Sequence, residues 1–186
     1  MRGQGPSLAA VCAVILTFLG GCAFERGAVE TEGLLAQGRH AAILPLVNLT
    51  TYPNAGRIVG DLLTTEMYAA TDFRIMESTE VIEILRGEED DLDRVLDRAA
   101  ARAIGRKLGV DTVVFGSVTE YRYKRGLDED PVVGINIRML DVKSGNILAV
   151  GSRSETGGCF WFCEDSLNRL AQKVCHTLVR RMVKAH

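Results

Sequence analysis

The sequence predicts an α+β domain: a central mixed sheet ending in an antiparallel C-terminal meander, with helices packed on it as a two-layer or three-layer-like sandwich. Three observations carry this reading. Two long segments, 55–70 and 167–183, place apolar residues at helical spacing. Strand-like runs flank the first of them. Three further strand-like runs between 111 and 156 are joined by links too short for a crossover, so they pair antiparallel.

The first element, "AAILPLVNL" (41–49), is an apolar run of strand length, with Pro45 tolerable at an edge or bulge. "TTYPNAG" breaks the chain before a helix from Ala55 to Ala70. Its Val59, Leu62, Leu63, Met67 and Ala70 fall on one face. "DFRIME" (72–77) is a short strand, and Ser78 or Thr79 caps a short helix through Leu85. The acidic run "EEDDLD" (88–93) lacks the alternating oxygen ligands and central glycine of a calcium loop. It reads as the solvated start of the helix "RVLDRAAARAIGRKLG" (94–109), with Arg106 and Lys107 in the last turn and Gly109 as its C-terminal cap.

The period then changes to two, over 111–124, 131–142 and 146–156, with "KSGN" as a hairpin turn. The closing helix carries one continuous apolar stripe from Leu167 through Cys175 to Val183, and Asp165 or Ser166 caps its start.

The N-terminus, "MRGQGPSLAAVCAVILTFLGGC", has one cation, Arg2, then an uncharged apolar run from Leu8 to Leu19. That layout is an export signal, since the run falls short of the roughly 20 residues a spanning helix needs. The ending Leu19-Gly20-Gly21-Cys22 resembles the bacterial lipobox. It implies a signal peptide over 1–21, lipidation of Cys22, a polar tether over 22–39 and a periplasmic domain over 40–186. Ala23 follows the cysteine, where an aspartate would imply inner-membrane retention, so the implied address is the periplasmic face of the outer membrane.

The chain has 186 residues with 22 Lys plus Arg against 24 Asp plus Glu, a formal charge of −2. That balance carries no nucleic-acid footprint.

The segments "ILPLVNLTTYPNAGRIVGDLLTTEM", "FRIMESTEVIEIL", "AIGRKLGVDTVVFGSVTEYRY" and "INIRMLDVKSGNILAVGS" resemble the core of the curli assembly and transport (CsgG-like) family, to which the penicillin-binding-protein activator LpoB is related. The shared marks are Asn48 and Thr50 after the first strand, Gly109 to Val118, and Asp141 to Gly145. The resemblance implies an accessory protein acting by protein contact in envelope assembly or secretion. Its partner would be a peptidoglycan synthase or a secretion component, and a homo-oligomer is a further possibility it raises. The links "RGLDED", "KSGN" and "GGCFWFCED" are too short for the membrane hairpins of the curli channel, which argues against a pore formed by this chain alone.

No enzyme signature emerges: His40, His176 and His186 lack zinc spacing, and no Gly-x-Ser-x-Gly or phosphate loop is present. The sequence therefore implies no cofactor and no metal. Catalysis would rest on Cys159 and Cys163 of "CFWFC", as a thiol oxidoreductase, although redox motifs place two residues between their cysteines rather than three. A disulfide between these two requires the segment to turn back on itself, and free thiols in a packed turn remain the other structural reading. Phe160, Trp161 and Phe162 either plug the end of the sheet or form an exposed loop for a partner or the membrane interface. Cys175 lies on the apolar stripe and reads as a small hydrophobe.

Overall fold

The computed structural model describes residues 38–86, 97–124, 130–158 and 166–184. Cys22, the tether through residue 37, the acidic run 88–93 and "CFWFC" lie outside the described residues. The elements run β1 (His40–Ile43), β2 (Val47–Asn48), α1 (Ala55–Ala70), β3 (Arg74–Ile75), α2 (Ser78–Ile84), α3 (Arg98–Leu108), β4 (Thr112–Tyr123), β5 (Pro131–Asp141), β6 (Ile147–Thr156) and α4 (Leu167–Lys184).

The sheet order is β3-β1-β4-β5-β6, with β2 also on β4. Strand β1 is parallel to β3 and β4, and β2 is parallel to β4. Strands β4, β5 and β6 form the expected antiparallel meander. The sheet is therefore mixed, and both faces are covered, which makes three layers. On one face α1 and α4 bury Val59, Leu63, Val174 and Leu178 against Val114, Ile135 and Ile137. On the other, α2 and α3 bury Val81, Ala101 and Leu108 against Ala42, Val113, Phe115 and Leu140. The two cores follow from strand alternation, since successive side chains of β1 and β4 point to opposite faces.

The run 41–49 is two strands rather than one. Pro45 has no N–H to give to a ladder, and around it the backbone turns to other partners. Leu44 N donates to Val114 O at 2.9 Å, and Leu46 N to Gly56 O at 3.4 Å. Gly56 permits this approach, because a Cβ there would lie 1.9 Å from the Leu46 carbonyl oxygen.

The capping expected of Ser78 or Thr79 is not what forms: Glu77 is the N-cap of α2, without a side-chain cap bond. Helix α3 starts at Arg98, capped by Asp97, whose carboxylate accepts from the Ala99 and Ala100 amides. Gly109 ends it in the left-handed conformation, as expected. Ser166 caps α4 by accepting from Arg169 N at 3.2 Å.

Helix α4 is also held by charge. Lys173 Nζ lies 3.3 Å from Glu155 on β6, and Arg153 pairs with the same carboxylate. His176, off the apolar stripe, faces Glu66 of α1 with Nδ1 2.7 Å from Oε2. Its ring is about half exposed, while the Glu66 carboxylate is largely buried.

Candidate partner-binding surface

One end of the sheet carries Asn48 and Thr50, two of the residues singled out in the sequence, while Gly109 and Asp141 to Gly145 lie at the other. Asn48 closes β2 with a side-chain network: Oδ1 accepts from Thr50 N at 3.0 Å and Thr50 Oγ at 2.7 Å, and Nδ2 donates to Tyr52 O at 2.8 Å. Thr50 Oγ in turn accepts from Tyr52 N at 3.1 Å. Leu49 N donates to Val118 O at 3.0 Å, tying the turn to β4. Asn and Thr suit this task because their short side chains reach backbone groups two residues on. Asn48 and Thr50 are thus turn residues that set the entry to α1.

The turn presents Tyr52. Its ring packs 4.9 Å, centroid to centroid, from that of Tyr121. Tyr121 is buried, and its hydroxyl donates to Asn168 Oδ1 of α4 at 2.5 Å. Burial, then the neighbouring Tyr52, push its phenol up to about 12, so it stays neutral and a donor at physiological pH. Tyr123 Oη accepts from Leu167 N at 3.4 Å, at the first residue of α4.

The described end of β6 and the described start of α4 both lie at this same end. On the departing side Gly157 N donates to Pro131 O at 2.8 Å, and on the returning side Leu167 meets Tyr123. The described flanks therefore place the attachment points of the Phe160, Trp161 and Phe162 segment beside Tyr123 and Asp130. Cys159 and Cys163 share that segment and lie outside the described residues. Leu49, Tyr52 and Tyr123 are 57%, 40% and 44% exposed there, an apolar rim that the sheet itself does not cover. Sequence reasoning missed these three, since a Leu in a turn and Tyr residues at a strand end carry no distinctive spacing.

Cys175 is fully buried, and burial, then the Glu66 charge, push its thiol up to about 12. That is the opposite of the depressed value a reactive thiolate needs. Among the described residues no group of three or more His, Cys, Asp or Glu could hold a metal ion. No helix among them is long and apolar enough to cross a membrane.

No family model and no curated protein matches the chain in sequence. Solved structures do match in fold. The PelC dodecamer of Paraburkholderia phytofirmans superposes with a TM-score of 0.60 at 24% identity, over 80% of this chain and 89% of that one. Lipoprotein GNA1162 of Neisseria meningitidis gives 0.56 at 20% identity, over 75% and 95%. The LpoB C-terminal domain of Escherichia coli gives 0.46 at 15% identity, over 78% and 94%. The likeness to PelC and GNA1162 lends the curli part of the family resemblance no support. The chain shares its fold with PelC and with lipoprotein GNA1162.

Proposed function

We propose that this chain is a lipid-anchored protein of the outer membrane, held on its periplasmic face through Cys22, that works by protein contact in envelope assembly or export. On this reading it is a binding protein and not an enzyme. The observation that carries it is the apolar rim of Leu49, Tyr52 and Tyr123 at the end where the aromatic segment 159–165 is attached. Aromatic side chains with a polar tip are the residues most enriched in recognition surfaces. Self-assembly belongs to the same reading, because PelC, of like fold over most of both chains, is a dodecamer. A heterologous contact repeated around a ring would use such a rim in every copy.

The test separates surface from core. Alanine at Phe160, Trp161 and Phe162 together, and separately at Leu49 and Tyr52, leaves the circular dichroism of an interface variant native. The same variants lose the oligomer in native mass spectrometry, or lose a crosslinked envelope partner in cells. Loss of folding in the triple variant would make the aromatics a core plug and sink the interface reading. Cys22→Ala should abolish lipid incorporation and release the protein from membranes.

A further inference from the structure

The chain is mildly acidic as a whole, yet its cations are not spread evenly over the fold. Along α3, Arg98, Arg102 and Arg106 recur every four residues, a row rising about 6 Å from one to the next. Arg102 is pinned: Nε donates to Val142 O at 2.9 Å, and Nη2 donates to Lys143 O. These bonds lock α3 to the turn between β5 and β6, where Gly145 takes a positive φ of 80°. Arg98 and Arg106 are exposed, and their side chains make no hydrogen bond or ion pair among the described residues.

The row lines an open cleft of about 310 Å³, closed on the far side by Ser144, Gly145 and Asn146, with no acid among its described lining. Arg106 also lines a second open cleft, of about 550 Å³, which carries Arg39 and Lys143. The two acids there already have partners. Asp141 accepts from Arg39 and from the amide and hydroxyl of Ser144, and Asp111 accepts from the His40 amide.

Like charges one turn apart destabilise a helix. Three guanidiniums in a row, spaced by Ala99 and Ala103, therefore form a face that gains when an anion bridges it. Guanidinium is also the group best shaped to grip carboxylate or phosphate oxygens. An enclosed pocket would suit one small anion, whereas two open clefts on either side of Arg106, with cations in both, suit a chain carrying repeated anions. We propose that this groove binds a strand of an anionic polymer, whose carboxylate or phosphate oxygens accept from Arg98 and Arg106 and then meet Lys143.

The proposal stands independently of lipidation, and its test uses the chain from Ala23 onward, which contains both hydrophobic cores entire. Polygalacturonate and linear polyphosphate are titrated calorimetrically at low salt, near about 50 mM, where exposed charges are least screened. Wild type should bind at least one of them. Arg98→Gln with Arg106→Gln should weaken that binding at least about tenfold with an unchanged circular dichroism spectrum. Arg180→Gln with Arg181→Gln, which removes the same charge from exposed positions on α4, should leave it unaltered. The proposal is overturned if neither polymer binds, or if both double variants lose binding equally. It is overturned too if inorganic phosphate binds as tightly as the polymers, or if only phosphatidylglycerol vesicles bind.

Discussion

Gly56 is the position where the fold leaves no room for a side chain. A Cβ added there would sit 1.9 Å from the Leu46 carbonyl oxygen, against closest ordinary carbon–oxygen approaches of about 3.3 Å. The obstacle is backbone, so it cannot rotate away, and α1 must retreat by about 1.4 Å for the contact to become ordinary. That retreat would loosen Ala55, Val59 and Leu63 from their core and break the bond from Leu46 N to Gly56 O. Overpacking of this kind costs about 3 kcal/mol at the upper end of its usual range, offset by the helix preference of alanine, about 1 kcal/mol. The net loss for Gly56→Ala is about 2 kcal/mol, which lowers Tm by about 4–8 °C in a domain of this size. Gly60, one turn along the same buried helix, supplies the control. Its added Cβ would meet nothing nearer than Leu44 O at 3.9 Å, an ordinary contact. Gly60→Ala should therefore stabilise, raising Tm by about 2 °C. Thermal unfolding followed by far-ultraviolet circular dichroism reads both. The reasoning fails if Gly56→Ala melts at or above wild type, or if Gly60→Ala falls as far as Gly56→Ala.

Other consequences can be checked as directly. Cys175 should stay unmodified by a thiol reagent at neutral pH until the protein unfolds, whatever the state of Cys159 and Cys163; mass spectrometry of the labelled native protein locates the tag. Burial raises the Asp141 carboxyl, but bonds from Ser144 and Arg39 outweigh it and hold the group below its ordinary value. The stability it contributes is thus full above the unfolded-state pKa and lost as pH falls through the folded one. Asp141→Asn should destabilise at neutral pH and flatten the acid side of the stability profile in urea titrations, and an unchanged acid limb would contradict the assignment. Tyr121→Phe removes the hydrogen bond to Asn168, at a cost of about 1 kcal/mol by denaturant melts.

The elements written as long periodic patterns are legible in the sequence. Helix α1 occupies 55–70, α4 starts at Leu167, and the meander strands agree to within a residue at each end, because period and turn residues are local properties. What the periodicity does not carry is which backbone groups lack a ladder partner. The break at Pro45 depends on Val114, seventy residues away, and on Gly56, across the turn into α1, offering acceptors to the residues on either side. The same holds for His176, which lies off the apolar stripe of α4. Its partner Glu66 lies 110 residues away on α1, and only the packing of the two helices on one sheet face brings the pair together.

Charge gives the sharper lesson about sites. A formal charge of −2 gives the chain as a whole no net attraction for polyanions, but it averages over a fold that sorts its charges. The four-residue spacing of Arg98, Arg102 and Arg106 is visible in "RAAARAIGR", where it reads equally well as a solvated helix face. What separates the two readings is the fate of the middle residue. If all three arginines pointed freely into water, the row would have no fixed geometry to recognise anything. With Arg102 spent on the Val142 and Lys143 carbonyls, the outer two sit on a helix anchored to the β5–β6 turn, and their donors take no partner among the described residues. Replacing Arg102 with Lys tests that division of labour. The charge is kept but the fork that spans two carbonyls is lost. Polymer affinity should fall although neither outer arginine is touched, and stability should fall with it. Unchanged affinity in that variant would show that the row needs charge alone and no fixed geometry.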